Sequence, residues 1–353
     1  MTEVLTFEET LERGRKAKEP VNVLLGNGFS IGAYEGFKYK KLYEEACKEG
    51  LGASAQGLFE YFGTANFEDI LKRLDDGMWL SDYYGLSFPD GSATMHDDKD
   101  NIKDSLTKVI ARVHPATKFD LDSKKLVSCA GFLERFDSVF TTNYDILIYW
   151  AFLATNPPVL RDAFFNEGVG YQIFEVPTST GRTIHYLHGA LHIYGEGGEF
   201  RKRKWDGVTP LIEQVHAGFE ADEYPLIVTE GKFVDKKTAI EASGYLSWCL
   251  QELQTVGGTV LVYGSALGKQ DDHLWKAIVD NRYLDRLAVA LHGDPESSDN
   301  TALIARAKKL QERRHALSLS KAVFKDLDLW FFDSDTAHVW DAPEASSAEI
   351  AIK

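Results

Sequence analysis

Apolar positions along the chain alternate between two patterns. Short continuous runs form the first. Val21-Asn22-Val23-Leu24-Leu25 ends in Gly26, as a strand buried on both faces does when it meets a turn. Ser138-Val139-Phe140-Thr141, Thr183 to Leu187, Leu226 to Thr229, Thr259 to Tyr263, Leu287 to Leu291 and Leu329 to Phe332 read the same way. Between the runs the spacing changes to i, i+3, i+4, i+7, which places apolar residues along one side of a helix. Tyr39, Leu42, Tyr43 and Ala46 keep that spacing, as do Phe67, Ile70, Leu71 and Leu74 behind Asn66 as N-cap. Ile102 to Val113, Ile146 to Ala154, Leu246 to Leu253 and Ala302 to Leu319 are further helical stretches. The turn-rich segment at about 80–100 reads as a long surface loop.

Continuous apolar strands interleaved with helices predict an α/β fold, a doubly wound, largely parallel, Rossmann-like sheet with helices on both faces. A single domain over residues 1–341 is expected, with a helical insertion at about 40–130 and a loop or lid insertion at about 195–225. The small, polar segment 342–353 is expected to be a flexible tail.

Composition adds mainly exclusions. At 353 residues, 44% hydrophobic and 26% charged, the chain needs no disulfide or metal staple to fold. Its 39 basic and 54 acidic residues give a net charge of −15, unsuited to coating nucleic acid or an anionic membrane, so neither partner is expected. Cys47, Cys129 and Cys249 form no C-x-x-C pair, so cysteine cannot build a zinc ribbon here, and the sparse count reads as reduced thiols. The charged first twenty residues lack the apolar core of a signal peptide, which makes the cytoplasm the expected location. The dense basic run Arg201-Lys202-Arg203-Lys204 reads as a solvated loop, with a phosphate-guiding lid or a partner-docking loop as the sharper alternative.

Three segments place polar chemistry at strand ends, where open α/β sheets bind ligands. Gly26-Asn27-Gly28-Phe29-Ser30 follows the first strand, where glycines let backbone N–H groups approach a phosphate. Its glycine spacing is one residue too long for the dinucleotide G-x-G-x-x-G fingerprint. Thr141-Thr142-Asn143-Tyr144-Asp145 follows a second strand, facing the ligand crevice or simply capping the next helix. His185, His188 and His192 surround a third strand end; their spacing matches no zinc motif, and no metal is expected.

In order and spacing these segments resemble the sirtuin-type NAD-binding superfamily. Gly26 to Ser30 resembles its G-A-G-x-S loop, Thr141 to Asp145 its T-Q-N-I-D, and Leu187-His188-Gly189 the L-H-G carrying its catalytic histidine. Gly264-Ser265-Ala266-Leu267 is similar to a diverged G-T-S-L loop, and Leu287 to Pro295 takes the place of the strand that meets the adenosine ribose. The chain departs from protein-deacylating sirtuins in lacking both C-x-x-C pairs, and in Tyr34 to Tyr39 where they carry I-P-D-F-R. It is closer to the zinc-less sirtuin-like proteins of bacterial antiphage systems, which hydrolyse NAD.

That resemblance implies an NAD hydrolase cleaving the ribose–nicotinamide bond, as an NAD-depleting effector. The alternatives are an NAD-dependent deacylase or ADP-ribosyl transferase, or a non-catalytic module sensing NAD or ADP-ribose. The resemblance implies that Gly26, Asn27, Gly28 and Ser30 cradle phosphate, with Gly264 and Ser265 touching phosphate or ribose. Asn143 would position a ribose hydroxyl or water, Thr142 and Asp145 would help bind the cofactor, and His188 would accept a proton. Asp294 and Asp333 are candidates for an acidic contact that favours NAD over NADP. Such an activity would be held inactive until a trigger or partner assembles the enzyme, with a homo-oligomer or a regulatory protein as the expected partner.

Overall fold

The computed structural model describes residues 2–16, 18–86, 91–154, 160–168, 170–177, 181–196, 198–229 and 233–341. The expected tail, 342–353, lies outside them. Among the described residues ten strands form: β1 (Val21–Leu25), β2 (Ser138–Thr141), β3 (Phe164–Gly168), β4 (Tyr171–Phe174), β5 (Thr183–Tyr186), β6 (Ile193–Glu196), β7 (Glu199–Arg203), β8 (Gly258–Tyr263), β9 (Leu284–Leu291) and β10 (Asp328–Asp333).

Six of them build one parallel sheet in the order β10-β9-β8-β1-β2-β5. The chain winds outward from β1 through β2 to β5, then returns to the other side of β1 and winds outward again. The doubly wound, Rossmann-like expectation is the observed architecture, and the direction of winding reverses between β1 and β8. A crevice opens at such a reversal because the connections on its two sides leave in opposite directions. Every residue of β1 is buried, which is why its sequence shows no polar alternation.

The helical insertion is also present. Helices Tyr39–Lys48, Ala53–Phe62, Phe67–Tyr84, Gly91–Val113 and Ser123–Leu133 separate β1 from β2. Asn66 caps the third of these, its side chain accepting from the Glu68 amide at 3.0 Å. The stretch at 80–100 is a correction. Helix runs to Tyr84 and resumes at Gly91, with residues 87–90 outside the described set. Burial of Ile102, Leu106, Val109 and Ile110 rewards a longer helix than local turn propensity suggests.

Strands β3, β4, β7 and β6 form a second, antiparallel sheet absent from the sequence reading. The segment expected as a loop at 195–225 supplies β7, part of β6 and the helix Leu211–Glu220. Three residues of its basic run, Arg201, Lys202 and Arg203, lie in β7 as paired charge. Lys202 is buried against Asp162, Arg201 pairs with Glu199, and Arg203 pairs with Glu223. Leu226 to Thr229 is not a sheet strand either. Ile227 makes one antiparallel bridge to Gly189, so this segment clamps the turn after β5.

Among the described residues no helix is long and apolar enough to cross a membrane. Cys47, Cys129 and Cys249 are free thiols, and burial pushes the Cys129 thiol well above its ordinary range.

Candidate functional site at the β1–β8 crevice

A cavity of about 220 Å³ lies beyond the carboxyl ends of β1, β2, β5 and β8. Gly26, Asn27, Gly28, Thr142, Asn143, Asp145, His188, Gly264 and Ser265 all line it. The helical insertion supplies much of the opposite wall, through the apolar side chains Leu42, Phe67, Leu106 and Ile110.

Glycine is required where the β1 and β8 turns meet. Gly28 donates its amide to Gly264 O at 2.8 Å, and a Cβ on Gly28 would sit 2.7 Å from Gly264 Cα. Gly264 has φ +70, which an L side chain disfavours. Gly26 N and Phe29 N also bond internally, to Tyr263 O and Gly26 O. The Gly26 and Gly28 amides therefore join two strand ends, and that of Phe29 closes its own turn, rather than pointing freely into the cavity.

Ser30 is fully buried behind the wall. It donates to Asp145 Oδ2 at 2.5 Å and accepts from Asn143 Nδ2 at 2.8 Å. Asn143 Nδ2 gives its second hydrogen to Gly26 O at 3.0 Å, and an acceptor-only carbonyl there fixes which way the amide faces. What Asn143 retains for a ligand is the acceptor Oδ1. Asp145 Oδ1 also accepts from the Leu147 amide at 2.9 Å, so capping and cavity lining coexist in one residue. Burial raises the Asp145 carboxyl above its ordinary range, against the pull of the Ser30 and Leu147 hydrogen bonds.

Of the three histidines around β5, only His188 reaches the cavity. His185 stacks on Phe140 at 4.6 Å, and His192 packs between Tyr149 and Tyr186. His188 sits at the tip of the turn, where Gly189 adopts φ +77 and a Cβ would lie 1.8 Å from Leu226 O. Val228 N donates to His188 O at 3.0 Å, pinning the backbone from the other side. Asp294 and Asp333, the ribose candidates, do not line the cavity; each caps a local turn instead.

Four residues at the site carried no local signal of function. Lys236, fully buried on the helix Phe233–Ala242, lies 2.9 Å from Glu68 Oε1 and 3.0 Å from Asp271 Oδ1. Burial works against the Lys236 charge, but Asp271 and Glu68 outweigh it and hold the ammonium above the usual lysine range. His188 Nε2 lies 3.1 Å from His273 Nε2 and 3.8 Å from Asp271 Oδ1. Burial, then the nearby Lys236 and His273, push His188 well below its ordinary range, so its ring is neutral at pH 7. Asp271 and His273 follow the β8 turn closely in sequence, so the strand-end rule that singled out Ser265 reaches them if carried a few residues further.

The atoms of His188, Asp271 and His273 lie close enough together to hold a cation. Here, however, Asp271 Oδ1 already accepts from Lys236, and His273 Nδ1 has no partner. A ligating imidazole ordinarily donates that second nitrogen to an acceptor. The cluster closes on itself through an ion pair and a nitrogen–nitrogen hydrogen bond.

No curated protein matches the chain. Residues 23–340 match the family model described as Domain of unknown function (DUF4917). That match spans the sheet from β1 to β10 and every residue lining the crevice, so the chain belongs to the DUF4917 family.

Proposed function

We propose that the protein hydrolyses NAD at the bond between ribose and nicotinamide. One observation carries this reading: the three segments that resemble the sirtuin superfamily converge on one crevice at the winding reversal of a Rossmann-like sheet. A nucleotide lies in such a crevice with its reacting end at the strand tips. Cleavage develops positive charge on the ribose. A neutral imidazole, an amide oxygen and buried carboxylates suit that charge better than a cationic pocket would. His188 is uncharged at neutral pH and able to accept a proton from water or a ribose hydroxyl. Asn143 Oδ1, held by Ser30 and Gly26, orients that hydroxyl or water. The apolar wall receives the nicotinamide ring and limits water around it. The same reading extends to NAD depletion as an antiphage effector.

The test is nicotinamide release from NAD by the purified protein, with His188→Ala and Asn143→Ala beside it. Release by the wild type and its loss in both variants, each folded by circular dichroism, is expected. A fully active His188→Ala protein would end the assignment. Saturable NAD binding without release would favour the sensing module.

A further inference from the structure

The contact between His188 and His273 is a hydrogen bond between two neutral rings. Burial pushes His273 to about 4 and His188 well below its ordinary range, so neither is charged at pH 7. A neutral imidazole carries one N–H, and two Nε2 atoms 3.1 Å apart share one proton between them. The two ways of placing that proton differ in what they strand. If His188 Nε2 holds it, His273 must carry its own proton on Nδ1, which is buried without an acceptor. If His273 Nε2 holds it, His273 Nδ1 is only a bare lone pair and His188 carries its proton on Nδ1, which is not among the buried polar atoms left without a partner. A buried donor without an acceptor loses its hydrogen bond to water and gains nothing in return, which selects the second arrangement.

We infer that His273 is a positioning residue whose Nε2–H holds His188 in the tautomer with its proton on Nδ1, leaving His188 Nε2 as the basic atom. This rests on the reading of His188 as the base. The surroundings support it from several elements. Lys236 and Asp271 flank the pair, Glu68 extends the ion pair away from it, and the Tyr144 ring lies 6.5 Å from His188. Burial keeps both rings neutral, helped by Lys236 and opposed at His273 by Asp271, so the tautomer, not the charge, is what His273 controls. A hydroxyl handing its proton to His188 takes the place of the His273 N–H, because a ring nitrogen has one lone pair.

The experiment compares wild type, His273→Gln and His273→Ala by nitrogen-15 NMR of the His188 ring. Glutamine keeps an N–H able to donate to His188; alanine does not. The wild type and His273→Gln are expected to show the Nδ1–H form, and His273→Ala to move to Nε2–H, the form a free imidazole prefers. Nicotinamide release should then fall in His273→Ala by about a hundredfold or more in kcat, with KM nearly unchanged, as for an imidazole held in the wrong tautomer. His273→Gln should recover much of the loss. An identical His188 tautomer in all three proteins overturns the inference, as does an Nε2–H form in the wild type. The NMR result does not depend on turnover, so a tautomer shift in a protein that releases no nicotinamide would refute the NAD reading alone.

Discussion

Lys236 Nζ lies 2.9 Å from Glu68 Oε1 across 168 residues of chain, and it is fully buried where it does so. The same ammonium reaches Asp271, so one lysine ties the helix Phe233–Ala242 to the helical insertion and to the segment following β8. All three meet beside the cavity. The ion pair thus closes the site as well as stabilising the fold.

Removing one partner of a buried pair strands the other's charge, which costs about 3–5 kcal/mol. Lys236→Met is expected to destabilise by that order, measured by urea unfolding. Adding Glu68→Gln should return part of the loss, since one stranded carboxylate is then gone. Strictly additive effects of the two substitutions would show that the pair is not coupled.

Ser30 does not line the cavity, yet it holds Asn143 and Asp145, which do. Ser30→Ala leaves the Asn143 amide with one partner fewer and removes a donor from Asp145. Under the NAD reading, kcat should drop about tenfold or more while KM changes little, because a misplaced group hurts the transition state first. A rise in KM with unchanged kcat would instead mean that Ser30 contacts the ligand directly.

Stability should fall as the solution is acidified from pH 7 to 5. Burial pushes His114, His185 and His273 each to about 4, whereas an unfolded histidine titrates near 6.5. Between those values the unfolded chain binds more protons than the folded one, so stability rises with pH through that window and is lost on descending it. Each histidine contributes on the order of 2 kcal/mol of loss at pH 5. Thermal melts at the two pH values measure the sum. His185→Phe, which keeps the stack on Phe140, should flatten the dependence, and an unchanged slope would count against the assignment.

The sequence by itself determined the parallel sheet, the helical insertion and the strand-end segments around Asn143 and His188. Those are local properties. A strand buried on both faces must be continuously apolar, as β1 is, and a helix against a core must repeat its apolar residues every three to four positions. Tertiary structure alone decided the rest. The strands β4 and β7 are half-buried, so their pattern is mixed and a loop reading competes. The resemblance makes Ser30 a phosphate contact, but packing sets it behind the wall. Glu68 reads locally as an acidic first-turn residue and Lys236 as a solvated charge on a helix. Only the fold, by bringing them out of water and within reach of each other, makes them an ion pair. His273 likewise acquires its role from a neighbour 85 residues away, because the proton it directs sits on a contact no stretch of sequence contains.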